Sequence, residues 1–203
     1  MIFELDTIVF DTTYNDDETI NTINDSAIFT IEFEDNSWTN WSGYNISTGD
    51  LDNDGLTEIY TVAFDFYHVI VFENTLANEY EYQTDFYVSS EAFEYGNQSI
   101  IITDINRDGS NELFAATSGT KDGETLLAPG KLYGAGDIND VSLLTFSDFN
   151  YFASYQGGLR QIATGDADND GNSNLYLAGH YDESLYDWEF VGQDPFNVSH
   201  YTE

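Results

Sequence analysis

Read for the alternation of apolar and polar positions, the chain shows many strand-length apolar segments and little helical periodicity. Three of them stand out: Ile59 to Phe64, Leu113 to Thr117 and Leu175 to Gly179. All are rich in β-forming residues. The first is apolar on both faces, with Tyr60, Val62 and Phe64 on one and Ile59 and Ala63 on the other. A strand buried on both faces belongs in a sheet stacked between two other layers. Further strands are predicted at His68 to Phe72 and Glu79 to Gln83, at Lys131 to Ala135 and Val141 to Phe146, and at Trp188 to Val191 and Val198 to Tyr201. A short strand leading into each of the three main segments brings the count to about four per unit.

The units repeat. STGDLDNDGLTEIYTVAF from Ser47, IITDINRDGSNELFAATS from Ile101 and IATGDADNDGNSNLYLAGH from Ile162 align on Asp50, Asp104 and Asp166, at intervals of 54 and 62 residues. That period is too long for most helical solenoids, and tandem four-stranded units are the blades of a β-propeller. The predicted fold is therefore all-β, a single propeller-like domain over 1–203 with blades at 47–98, 99–158 and 159–203. Residues 1–46 read as a partial blade, with strands near Thr7 to Phe10 and Ile28 to Phe33. Closed propellers have about four to eight blades, so the expectation is a longer parent protein or a ring completed by association.

Between the first two strands of each unit lies a nine-residue loop: DLDNDGLTE (50–58), DINRDGSNE (104–112) and DADNDGNSN (166–174). Acid or amide oxygens occupy positions 1, 3, 5 and 9, with glycine at 6. Alternate side chains of a tight loop can converge on one ion, glycine permits the turn, and position 7 can offer a carbonyl. An oxygen-only donor set selects Ca²⁺ over zinc or copper. An EF-hand would need a bidentate Glu at position 12, where this chain has Thr61, Ala115 and Leu177.

These loops with their strands resemble the FG-GAP (VCBS-type) repeats of integrin α-subunit propellers and of many bacterial and archaeal surface proteins, over roughly residues 47 to 203. The resemblance implies about three Ca²⁺ ions. One would be held by Asp50, Asp52, Asp54, Glu58 and the Leu56 carbonyl, a second by Asp104, Asn106, Asp108, Glu112 and the Ser110 carbonyl. The third would use Asp166, Asp168, Asp170, the Asn172 carbonyl and Asn174, which replaces the family's usual carboxylate and makes this the weakest site. The Phe-Gly and Gly-Ala-Pro segments of the family name are not clearly present.

Composition narrows the function. With 38 acidic against 4 basic residues the formal charge is −34, which argues against nucleic-acid binding and against anionic membranes. Ten carboxylates sit in the three loops, leaving 28 for a charged surface. There is no cysteine, hence no disulfide or thiol chemistry. No apolar run reaches a membrane span, and the amino terminus lacks the basic start of a signal peptide. Five glycosylation sequons, at Asn24, Asn40, Asn45, Asn97 and Asn197, are close to chance for so Asn-rich a chain.

The resemblance then implies a non-catalytic, calcium-stabilised adhesion module at the cell surface or outside the cell, with a protein or glycan ligand or other copies of itself as partner. Trp38, Trp41, Tyr44, Tyr151 and Tyr155 are candidate contact residues. The alternatives are a structural repeat of a filament or surface layer and the propeller of a polysaccharide-degrading enzyme. For the last, His68, His180 and His200 form no triad pattern, and the Gly134 to Gly136 tripeptide lacks the third glycine of a dinucleotide site.

Overall fold

The computed structural model describes residues 45–62, 69–76, 79–86, 97–122, 125–155, 158–179 and 184–203. The expected strands at Thr7 to Phe10 and Ile28 to Phe33, the aromatics Trp38, Trp41 and Tyr44, the histidines His68 and His180, and the sequons at Asn24 and Asn40 lie outside the described residues.

The fold is all-β, with no α-helix among the described residues. Three four-stranded antiparallel meanders follow one another along the chain. The first joins β1 (Asn45–Gly49), β2 (Glu58–Val62), β3 (Val69–Leu76) and β4 (Glu79–Phe86). In the second, β5 (Asn97–Thr103) pairs with β6 (Glu112–Thr117), then a two-stranded hairpin of β7 (Thr120–Asp122) and β8 (Thr125–Ala128) intervenes before β9 (Gly130–Ala135) and β10 (Asn150–Tyr155). The third joins β11 (Leu159–Gly165), β12 (Asn174–Gly179), β13 (Leu185–Phe190) and β14 (Tyr201–Thr202). Among the described residues, the expected lead strands and the strands after each loop are where the pattern put them, with Ala63 and Phe64 outside those residues.

The second sheet is sandwiched between the others. Along β6, Leu113 and Ala115 enter one apolar cluster with Tyr60, Val62 and Val71 of the first sheet. Phe114 and Ala116 enter another with Ile162, Leu175, Leu177 and Trp188 of the third. All four β6 residues are fully buried, as a strand between two layers requires. The lead strands lie side by side and are stitched by a repeated contact. Asn45 Oδ1 accepts from Ile100 N at 3.0 Å, and Ser99, five residues before its own loop as Asn45 is, accepts at Oγ from Ile162 N at 3.1 Å. Close approach also needs Gly49, where a Cβ would stand 2.3 Å from Ile102.

Two predicted strands are replaced. Val141 to Phe146 is not extended: 3₁₀ turns form at Val141–Leu143 and Phe146–Asp148, and the fourth strand is Asn150–Tyr155. Asp140 caps the first turn through Ser142 N at 2.9 Å, and Asp148 accepts from Thr145 N at 2.8 Å. Such local side-chain bonds outcompete a ladder. Likewise Val198–His200 is a 3₁₀ turn capped by Asn197, leaving only Tyr201–Thr202 extended. Tyr151 and Tyr155, expected in an irregular segment, both lie on β10. Tyr155 is buried against Tyr186 and Trp188, so it packs the core, while Tyr151 is 54% exposed.

Candidate metal centres

Each nine-residue loop connects the first two strands of its sheet, so all three sit at equivalent places. Their backbones coincide in detail. Position 4 is left-handed in every copy (Asn53 φ 57°, Arg107 φ 60°, Asn169 φ 60°), and position 6 is a left-handed glycine (Gly55 φ 92°, Gly109 φ 96°, Gly171 φ 98°). No Cβ would clash at these glycines; the positive φ is what excludes other residues.

The lead aspartate shapes the turn by accepting two backbone protons. Asp50 receives them from Asp54 N (3.1 Å) and Gly55 N (3.0 Å), Asp104 from Asp108 N (3.0 Å) and Gly109 N (3.0 Å), and Asp166 from Asp170 N (3.2 Å) and Gly171 N (3.0 Å). Position 5 accepts from the position 7 amide: Leu56 N to Asp54 (2.7 Å), Ser110 N to Asp108 (2.8 Å), Asn172 N to Asp170 (2.8 Å). Held in this turn, the acidic side chains of each loop gather together. Asp50, Asp52, Asp54 and Glu58 converge with ligand oxygens within 4.8 Å, as do Asp104, Asp108 and Glu112, and Asp166, Asp168 and Asp170.

Acidic side chains thus cluster at ion-binding separation in all three loops. Beside the second, Asn106 bonds Asp108 twice, its amide donating to Oδ2 and its Oδ1 accepting from Asp108 N, each at 2.9 Å. Asn174 starts β12 at position 9 but is engaged elsewhere, its amide donating to Asp187 at 2.7 Å. For the carbonyls of Leu56, Ser110 and Asn172, only the position in the loop is established.

Position 9 decides how the cage closes. Glu58 has no exposed surface; one oxygen accepts from Leu51 N (2.8 Å) and from Tyr60 Oη (2.8 Å), and the other has no partner. Glu112 is buried in the same way and accepts from Ile105 N at 3.0 Å. Burial pushes the Glu58 carboxyl up to about 7, with Asp52 and Asp50 adding to the rise against the Leu51 and Tyr60 bonds that lower it. Glu112 is likewise raised to about 7 by burial, helped by Asp108, Asp104 and Asp137. At the third loop Asn174 is too short to repeat the bond, and Ala167 N donates to the Tyr176 hydroxyl at 3.2 Å instead.

Sequence reading missed three elements of the site. One is position 2, where Leu51 and Ile105 are 1% exposed and plug the two inter-sheet cores, while Ala167 is exposed. A consistently apolar residue amid aspartates was the available signal. Another is the cap from the neighbouring sheet: Val141 N donates to Asp52 Oδ2 at 3.1 Å, leaving Asp52 Oδ1 buried without a partner. The third is a link between loops, since Asn111 donates to Asp50 O at 2.7 Å, and Arg107 reaches the third loop at Gly171 O and Ser173 Oγ, 3.8 Å from Asp166.

An orphaned, fully buried carboxylate oxygen beside three aspartates fits a cation. The glycines of the Gly134 to Gly136 tripeptide serve packing, since a Cβ at 134 would stand 2.2 Å from the Phe196 ring. His200 accepts from Asp194 N at 3.0 Å, bracing the last loop. No helix among the described residues is long and apolar enough to cross a membrane. The chain matches no protein-family model and no curated protein.

Proposed function

We propose that the chain is a calcium-stapled run of β-propeller-type blades, a non-catalytic binding or adhesion module of an extracellular or cell-surface protein. The observation that carries the cation reading is Glu58, buried to 0% exposure with one oxygen unpartnered among Asp50, Asp52 and Asp54. Leaving carboxylates together and desolvated costs several kcal/mol unless a countercharge joins them. The donors are hard, numerous oxygens on loops, which favours calcium; magnesium would keep more of its water. The blade reading is supported by tandem meanders whose lead strands adjoin through the same side-chain-to-backbone contact twice.

The binding role follows from the resemblance to FG-GAP repeats and from the extreme acidity, which leaves proteins and glycans as the partners of choice. Its test is an array of extracellular proteins and glycans probed with the full chain in calcium and again in EGTA. Retention on one chemical class, lost with the chelator, is the expected result; uniform background in both buffers removes the recognition role.

One observation favours a structural role in a filament or layer as the second reading. The face of the third sheet that corresponds to the covered face of the second carries Gln161, Ala163 and Leu185, all exposed, Leu185 at 72%. Calcium-dependent growth of large species in sedimentation velocity would favour that role over recognition.

A further inference from the structure

The third strand of a meander runs back past the end of its own loop and sets one residue beside the cage. In the first sheet Glu58 pairs with Glu73 across β2 and β3, and Asn74 N donates to Thr57 O at 3.1 Å. The third sheet repeats this arrangement: Asn174 pairs with Glu189 across β12 and β13, and Phe190 N donates to Ser173 O at 2.8 Å. In both, the residue after the glutamate bonds the carbonyl of loop position 8. Side chains of such directly opposed residues interact across the pair.

The second sheet differs at this place. Leu113 pairs with Ala135, which carries the register on to Glu112 and Gly136. A Cβ at 136 would meet the Phe196 ring at 3.1 Å, so an aromatic ring occupies the space that a glutamate takes in the other two. The two glutamates lean on the same loop position. Among neighbouring charges, Asp54 acts most strongly on Glu73 and Asp170 on Glu189. Neighbouring carboxylates repel while both are ionised, and a cation between them relieves that repulsion.

The third loop is also where a donor is missing. Asn174 is 5% exposed, uncharged, and tied through its amide nitrogen to Asp187, while its Oδ1 is buried with no partner. That orphaned oxygen is one a cation would satisfy.

We propose that Glu189 is an additional ligand of the cation at the third loop, direct or through one water, supplying the carboxylate that Asn174 does not. This rests on the calcium reading above. Glu189 stands outside the tight trio of Asp166, Asp168 and Asp170, so it reaches the ion by a rotamer change or across a water. With it the third site gathers four carboxylates, as many as converge at the first. The third site is then comparable to the other two, and loss of Glu189 makes it the weakest.

The test is a calcium titration of the chelator-stripped full chain followed by amide NMR. Gly55, Gly109 and Gly171 each donate from position 6 to their lead aspartate or stand in its loop, so each amide reports one site. Glu189→Gln is expected to raise the calcium midpoint at Gly171 by about tenfold or more, with Gly55 and Gly109 unmoved. The double variant Asn174→Glu/Glu189→Gln is expected to restore it, which a merely structural role for Glu189 would not allow. An unchanged Gly171 midpoint in Glu189→Gln, with all three sites still binding, overturns this assignment alone. Absence of any calcium shift in the wild-type protein overturns the cation reading and the assignment together.

Discussion

The first and third loops share a backbone to within a few degrees at positions 4 and 6, yet they end differently. The first is closed from below by buried Glu58, anchored by Leu51 in an inter-sheet core, and capped at Asp52 by Val141 of the neighbouring sheet. The third has Asn174 at the closing position, exposed Ala167 in place of the anchor, and a tyrosine hydroxyl on the amide that a glutamate holds elsewhere. The shared loop conformation therefore goes with the lead aspartate, the bond from the position 7 amide to position 5 and the two left-handed residues. Burial of the site is set by what stacks above it, and the third sheet has no described sheet on its outer face.

Removing calcium acts on all three loops at once. Three sites at concentrations well above their dissociation constants would each add a few kcal/mol, so EGTA should lower the melting temperature by roughly 10 °C or more. Melting followed by circular dichroism checks this, and superimposable curves would remove calcium as a staple.

The anchors come next. Leu51→Ala opens a cavity in a closed core and should cost about 2–5 kcal/mol in denaturant unfolding. Ala167→Ser, at the equivalent place, should fall within about 0.5 kcal/mol. Equal costs would show that position 2 does not distinguish the loops.

A sharper contrast comes from Glu58→Gln, whose effect should change sign with the buffer. In EGTA the amide removes a buried charge and its repulsion with Asp50 and Asp52, raising stability by about 1 kcal/mol or more. In saturating calcium it removes a ligand and lowers stability. Asn174→Asp should shift in the opposite sense in both buffers.

The smallest effect is on pH dependence without metal. Glu58 and Glu112 are held near 7 in the folded protein, above the ordinary 4.5, so folding favours their protonated forms. Their stabilisation is complete below about 4.5 and is lost as the pH rises through about 7. In EGTA the slope of melting temperature against pH over that window should therefore be shallower in Glu58→Gln/Glu112→Gln than in the wild type. Parallel slopes would mean that the two buried glutamates are not what titrates.

Much of this was legible in the chain. The strands flanking each loop follow from local spacing, and acidic side chains cluster in each loop. Legibility ended where long-range contacts decide. Val141 to Phe146 alternates like a strand, but Asp140 and Asp148 cap it into turns, and its first amide is committed to Asp52 in another sheet. The β7–β8 hairpin carried a local signal in its Asp122-Gly123 pair. Glu73 and Glu189 carried none, because among 38 acids only strand register singles them out.

Calcium stoichiometry is the decisive measurement. Equilibrium dialysis of the stripped chain against calcium, in roughly physiological salt and excess magnesium, counts bound ions while screening diffuse attraction to the acidic surface. Saturation at about three ions per chain is expected. Uptake that never saturates, or none at millimolar calcium, would contradict the calcium reading.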